Sequence, residues 1–288
     1  MLLNFLKKFF SKSSQTNMEK EIFEQPEIIS KLLKKYIQKN GVVNIDLPEN
    51  IKKVALVASG SSYHSATIAA NYLRDNVHCY AQSYYASEFS LIDNPDVDNQ
   101  TLYIFISQSG ETADTNRSLD LVRVKTDKTL AITNTKNSTL YNNAKYKILN
   151  YAGVEKSIAS TKAVCAQIFC LLLIAVKIMQ QKDMPVDTIL KQLHDIPVVI
   201  GDALNKEDKI QAFAKKLMQY DNAAVLATHL AQKGTKHIYL GHLSHENNAP
   251  EIAFEATKSA LIKCGFDVDK DVHVCVASRE HFSEVTQL

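Results

Sequence analysis

Three apolar runs constrain this chain more than any other feature. They are "KKVALVAS" at 52–59, "TLYIFIS" at 101–107 and "KTLAITN" at 128–134, and each ends in a hydroxyl or amide residue. Runs this short, rich in Val, Ile and Leu, read as strands buried on both faces. "VHCYAQS" (77–83) and "AKYKILN" (144–150) supply two more. Helical patterns separate them: "SYHSATIAANYLRD" at 62–75, a short "ASEFSLID", and a helix from Thr112 to about Lys125. Strands alternating with helices predict an α/β fold, a five-stranded parallel sheet with helices on both faces.

The flanks read differently. Residues 18–46 form a helical arm: an acidic opening turn, a Pro, then an amphipathic helix that ends before Gly41. Residues 1–17, ahead of Met18, have apolar and basic residues but no cleavage site, and read as a flexible leader. "AVCAQIFCLLLIAVKIM" at 163–179 is interrupted by Gln167 and Lys177. It falls short of the ~20 residues of a membrane span, so it belongs in a core or a dimer interface. The doubly wound domain is expected over 47–195. Asp187 to Tyr220 reads as two polar helices broken at Pro197, making 196–221 a helical linker. A smaller βαβ follows within 222–288: "TKHIYLG", "APEIAFEATKSALIKCG" and "VHVCVAS".

A net charge of +2 gives no basic field for nucleic acid. The five cysteines lack metal spacing and read as buried thiols in a reducing cytoplasm.

In such a sheet, ligands bind off the carboxyl ends of the strands, where strand turns into helix. Two turns share one chemistry there. "VASGSSYHSA" places Gly60, Ser61 and Ser62 at a helix mouth; "ISQSGETADT" places Ser107, Gln108, Ser109, Gly110 and Thr112 at another. Unpaired helix N–H groups and the helix dipole favour an anion, hydroxyls add uncharged donors, and Gly60 and Gly110 permit close backbone approach. A bare helix cap is the alternative. Neither a GxxxxGK[ST] nor a GxGxxG pattern is present, so a phosphate on a small polar ligand fits better than a nucleotide. A third segment, "NYAGVEKSIASTKA" at 150–163, carries Glu155, Ser160, Thr161 and Lys162. Thr161 would cap the following helix and Lys162 would be solvated, or the loop would close over a sugar.

"MEKEIFEQP", "ASGSSYHSA", "YYASEF", "SQSGETADT" and "GVEKSIASTKA", in this order and spacing, closely resemble the SIS (sugar isomerase) domain family. The likeness is strongest to the first SIS domain of the glutamine–fructose-6-phosphate aminotransferases and covers roughly residues 18–219. It implies a flavodoxin-like sheet and a hexose phosphate ligand. Ser62, Ser107, Gln108, Ser109 and Thr112 would hold the phosphate, and Ile158 and Ser160 would border the sugar. Ser59 stands where the family usually has Cys. The resemblance further implies a homodimer, no cofactor and no membrane.

The family's glutaminase domain and the motifs of its second SIS domain, which supply the base and ring-opening groups, do not appear. Ketose-phosphate isomerisation needs an acid/base pair. Glu155 and His64 are the candidates, each more readily a capping or surface group. The expectation is therefore ligand binding without aminotransferase chemistry, a working isomerase completed by a dimer partner and a sugar-phosphate-sensing module being the alternatives. The segment 222–288, with "GHLS" around His242, resembles the C-terminal part of metallo-β-lactamase-superfamily hydrolases. Lacking the companion ligands, His242 with His229, His237 and His245 is not expected to bind metal.

Overall fold

The computed structural model describes residues 16–92, 95–206, 227–228, 230–240 and 250–276. The chain divides after Leu204 into two compact units.

In the first unit, α1 (Asn17–Phe23) and α2 (Gln25–Tyr36) precede the sheet. Then follow β1 (Lys53–Ala58), α3 (Ser61–Val77), β2 (Tyr80–Tyr85), α4 (Ala86–Phe89), β3 (Thr101–Ile106) and α5 (Ala113–Arg123). β4 (Thr129–Thr133), α6 (Thr139–Asn143), β5 (Tyr146–Leu149), α7 (Lys162–Gln181) and α8 (Asp187–Leu204) complete it. The five strands are parallel in the order β2-β1-β3-β4-β5. This is the expected flavodoxin-like sheet, and its direction reverses between β1 and β3.

Side chains on each strand alternate between two cores. Val54, Leu56, Leu102, Ile104, Leu130 and Ile132 point to one face, against α2, α3 and α7. Ala55, Val57, Tyr103, Phe105 and Ala131 point to the other, against Phe89, Leu119, Val122 and Leu140 of α4, α5 and α6. The arm shares the first core, because Ile29, Leu32, Val43 and Ile45 are buried in it. Among the described residues, α7 alone is long and apolar enough to cross a membrane, yet 67% of its apolar window is buried inside this chain. Its hydrophobicity is explained by its own core and no longer argues for a dimer interface.

Several boundaries differ from expectation. β2 begins at Tyr80, not Val77, because α3 runs on to Val77 and ends in a left-handed His78. The arm holds two helices, and the first opens ahead of Met18, where Thr16 accepts the Glu19 N–H as cap. α6 was not foreseen; Ser138 caps it through the Tyr141 N–H. Pro197 does not break α8, so the expected division at 195–196 falls inside one helix. Ile189, Leu190, Leu193, Ile196 and Ile200 keep helical spacing across the proline and pack on the first core. Tertiary burial there outweighs the lost hydrogen bond.

In the second unit, β6 (His237–Leu240), α9 (Pro250–Lys263) and β7 (His273–Val276) form the expected βαβ. The strands are parallel, over a small core of Ala231, Ile238, Leu261, Val272 and Val274.

Candidate functional site

The sheet register sets two turns side by side. Ala58 at the end of β1 pairs with Ile106 at the end of β3, so the turns that follow, 59–62 and 107–112, leave adjacent strands at the switch point.

The 107–112 turn is knitted to itself. The hydroxyls of Ser107 and Thr112 are 2.8 Å apart, and Ser107 Oγ accepts the Gly110 N–H at 3.0 Å. Ser109 Oγ accepts the Glu111 N–H at 3.1 Å. Gly110 has φ +72°, a conformation few side chains tolerate. Its carbonyl accepts from Leu140 N–H and from Asn116 Nδ2. Glu111 reaches outward to accept the Thr139 N–H at 2.8 Å, and this bond holds its carboxyl below the ordinary range.

Thr112 stands at the N-cap of α5, but its hydroxyl faces Ser107 and makes no capping bond. Gly60, N-cap of α3, has no side chain to offer. The twin turn is sparse: the Tyr63 N–H reaches the Gly60 carbonyl, and the buried Ser62 hydroxyl bonds to no described residue. The Ser59 and Thr115 hydroxyls are likewise buried without a partner among the described residues. Two neighbouring helix mouths therefore lack a capping side chain, with hydroxyls close by.

The third helix mouth is filled. Glu155 Oε1 accepts from Thr161 N–H at 2.7 Å, Thr161 Oγ1 at 3.2 Å and Ala163 N–H at 3.3 Å; its Oε2 accepts from Ser160 Oγ at 2.8 Å. A carboxylate already occupies the N-terminus of α7, so Glu155 is the cap there and Thr161 is not. Lys162 is not solvated: it is buried, its Nζ 2.6 Å from Glu24 Oε2. Ile158 is 76% exposed at the loop tip, and His64 is exposed beside the Tyr63 ring.

Asn134 ties this loop to the first turns. Its backbone N–H donates to the Gln108 carbonyl at 3.0 Å. Its side chain exchanges two hydrogen bonds with the backbone of Gly153, at 2.7 and 3.1 Å. Sequence reasoning missed Asn134, Thr133 and Ser138. The signal was present in "TNTKNST", a third hydroxyl-rich segment after a strand.

A polar cleft of about 570 Å³ lies elsewhere, beside the start of β5, lined by Tyr36, Asn44–Leu47 and Lys145–Lys147. It holds none of the expected site residues. In the second unit His237 stands opposite His273 across the strands, ring centres 5.8 Å apart. His229, His242 and His245 lie outside the described residues. Among the described residues, no three His, Cys, Asp or Glu side chains gather as a metal would need. All five cysteines are free, but only Cys79 and Cys170 are buried as expected; Cys165 and Cys275 are half-buried and Cys264, just past the end of α9, is exposed. Burial pushes the Cys165 thiol up to about 11.

Fold and site together define a doubly wound α/β protein whose switch-point turns are lined with hydroxyls. Residues 49–177 match the model of the SIS domain, and this part of the chain is a SIS domain. The glutamine–fructose-6-phosphate aminotransferase (isomerizing) of Campylobacter jejuni is 34% identical over 206 residues, covering 70% of this chain and 34% of that protein. The chain thus spans about a third of the length of this curated relative. The C-terminal domain of glucosamine-fructose-6-phosphate aminotransferase from Francisella tularensis superposes with a TM-score of 0.62 at 24% identity, covering 92% of this chain and 70% of that one. Glucosamine-6-phosphate deaminase from Thermotoga maritima gives a TM-score of 0.52 at 17% identity, covering 80% and 62%. These likenesses carry the fold. None of these relatives is a metallohydrolase, so the resemblance expected for 222–288 gains no support.

Proposed function

We propose that this chain binds a hexose phosphate, with the phosphate across the turns at 59–62 and 107–112. The observation that carries the reading is the pairing of two side-chain-uncapped helix mouths on adjacent strands, beside the free Ser62 hydroxyl. The relatives' names, which concern fructose-6-phosphate and glucosamine-6-phosphate, make those two sugars the first to test. Ser62, Ser107, Gln108, Ser109 and Thr112 donate or relay hydrogen bonds to the phosphate, and Gly60 and Gly110 bring the backbone close. Ile158 and Ser160 face the sugar. In a cytosolic setting the cysteines stay reduced. Assembly as a homodimer goes with the same reading.

Binding is separated from amination in this proposal. Both oxygens of Glu155 are committed to α7 and Ser160, and Lys162 is committed to Glu24. The other candidate, His64, is exposed beside the Tyr63 ring, and no acid or base is hydrogen-bonded to it among the described residues to complete a pair.

A thermal-shift titration with fructose-6-phosphate and glucosamine-6-phosphate tests the site. Stabilisation of the intact chain is expected, and it should vanish in Ser109→Ala/Thr112→Ala. An unchanged shift in the double variant would remove the 107–112 turn from the site. Formation of glucosamine-6-phosphate from fructose-6-phosphate and ammonia would replace the binding-only reading with a catalytic one.

A further inference from the structure

The side chain of Glu21 is buried although it is ionisable and belongs to α1, the first helix of the arm. It reaches a loop more than a hundred residues later in sequence. Oε1 accepts the Lys156 N–H, and Oε2 accepts the Ser157 N–H at 3.2 Å together with the Ser157 hydroxyl. Three residues further along the arm, Glu24 pairs with the buried Lys162 on the other side of the same loop. Lys162 opens α7, where the helix dipole disfavours a cation, so the loop's geometry sets an electrostatic demand that the arm meets. Glu155 then fixes residues 160–163 from within. Between these anchors only the tip, Ile158–Ala159, is left to face outward, and Ile158 does so as an exposed apolar side chain.

Apolar residues would have packed the arm at lower electrostatic cost, since a buried carboxylate is retained only when its donors are in place. The donors here all come from one loop. What the arrangement specifies is the position of that loop.

Resting on the hexose-phosphate reading, we infer that Glu21, supported by Glu24, is a positioning residue for the sugar side of the site. It acts through Lys156 and Ser157 to hold Ile158 and Ser160 in the bound geometry before the ligand arrives. A preorganised loop spares the ordering cost on binding. The phosphate turns at 59–62 and 107–112 have no bond to Glu21, so the effect falls on the sugar and not on the phosphate.

The test compares two probes, fructose-6-phosphate and inorganic phosphate, on the full chain by calorimetry or thermal shift. Glu21→Ala should weaken fructose-6-phosphate about tenfold, or ~1.4 kcal/mol, and leave inorganic phosphate within about twofold. Ser157→Ala, which removes the hydroxyl's bonds to Glu21 and to the Ala159 carbonyl but keeps both backbone N–H bonds to Glu21, should act in the same direction and less. Amide hydrogen exchange at 156–161 should speed up in Glu21→Ala while exchange at 107–112 stays unchanged. Equal weakening of both probes would reduce Glu21 to a general stabiliser and overturn the inference. Unaltered affinity for both, in a folded variant, would overturn it as well. If the unsubstituted chain bound inorganic phosphate but no sugar phosphate, the underlying reading would fall and this inference with it.

Discussion

The two turns at the switch point are alike in sequence and unlike in construction. The turn at 107–112 closes on itself through Ser107, Thr112 and Ser109 and is tied outward by Glu111 and Asn116. The turn at 59–62 has one backbone bond and leaves Ser62 unengaged. One is therefore a rigid cup formed before any ligand arrives. The other is an open strand-to-helix corner whose donors remain unspent. A phosphate across both would meet fixed geometry on one side and free hydrogen-bonding capacity on the other, a division of labour that neither turn offers alone.

The glycines expose the difference most sharply. Both have positive φ, at +72° for Gly110 and +56° for Gly60. A Cβ on Gly110 would lie 2.1 Å from Ser138 Oγ and 2.5 Å from Ser138 Cβ, whereas one on Gly60 would meet nothing within 4 Å. Gly110→Ala combines backbone strain of ~1–2 kcal/mol with overpacking of ~1–3 kcal/mol, so a loss of about 2–5 kcal/mol is expected in chemical denaturation. That variant should also lose the sugar-phosphate thermal shift. Gly60→Ala has the strain alone, ~1–3 kcal/mol, because φ 56° with ψ −135° lies outside the left-handed helical basin. Equal losses in the two variants would break the comparison, because the Ser138 contact would then carry no energy.

The sheet was legible because buried parallel strands are written as short apolar runs, and five such runs are unmistakable in "KVALVA", "TLYIFI" and their companions. Strand adjacency followed from topology, and it set the 59–62 turn beside the 107–112 turn. The sequence could not tell which hydroxyls were spent. "SGSS" and "SQSGET" look interchangeable, yet Ser107 and Thr112 bond to each other while Ser62 bonds to nothing described. Long-range partners were equally hidden. Glu21 reads as an ordinary acidic residue of an amphipathic helix, and only the fold brings Ser157 to it. Pro197 read as a breaker because local rules do not see the apolar face that continues past it onto the first core. Lys162 read as solvated because nothing near it in sequence announces Glu24.

Carboxylates sharpen the comparison from the other direction, since the open turn has none and the closed turn has Glu111. The Thr139 N–H holds the Glu111 carboxyl below its usual 4.5. A group depressed on folding stabilises the native state above its unfolded pKa and loses that contribution as pH falls through the folded one. Glu111→Gln should therefore lower the melting temperature slightly near pH 7, and the gap to the unsubstituted chain should close as the pH drops below about 4.5. Glu21 is depressed in the same sense: burial pushes its carboxyl up, but the Ser157 hydroxyl and the Lys156 and Ser157 N–H groups outweigh it. Its contribution fades in the same acid window, so the measurement uses a Glu21→Gln background to isolate Glu111. Because Glu111 is solvent-facing, its effect is the smallest predicted here and weakens with salt. A gap that persisted unchanged at pH 3 would assign the role of residue 111 to its shape and not to its charge, leaving the closed turn held by hydroxyls alone.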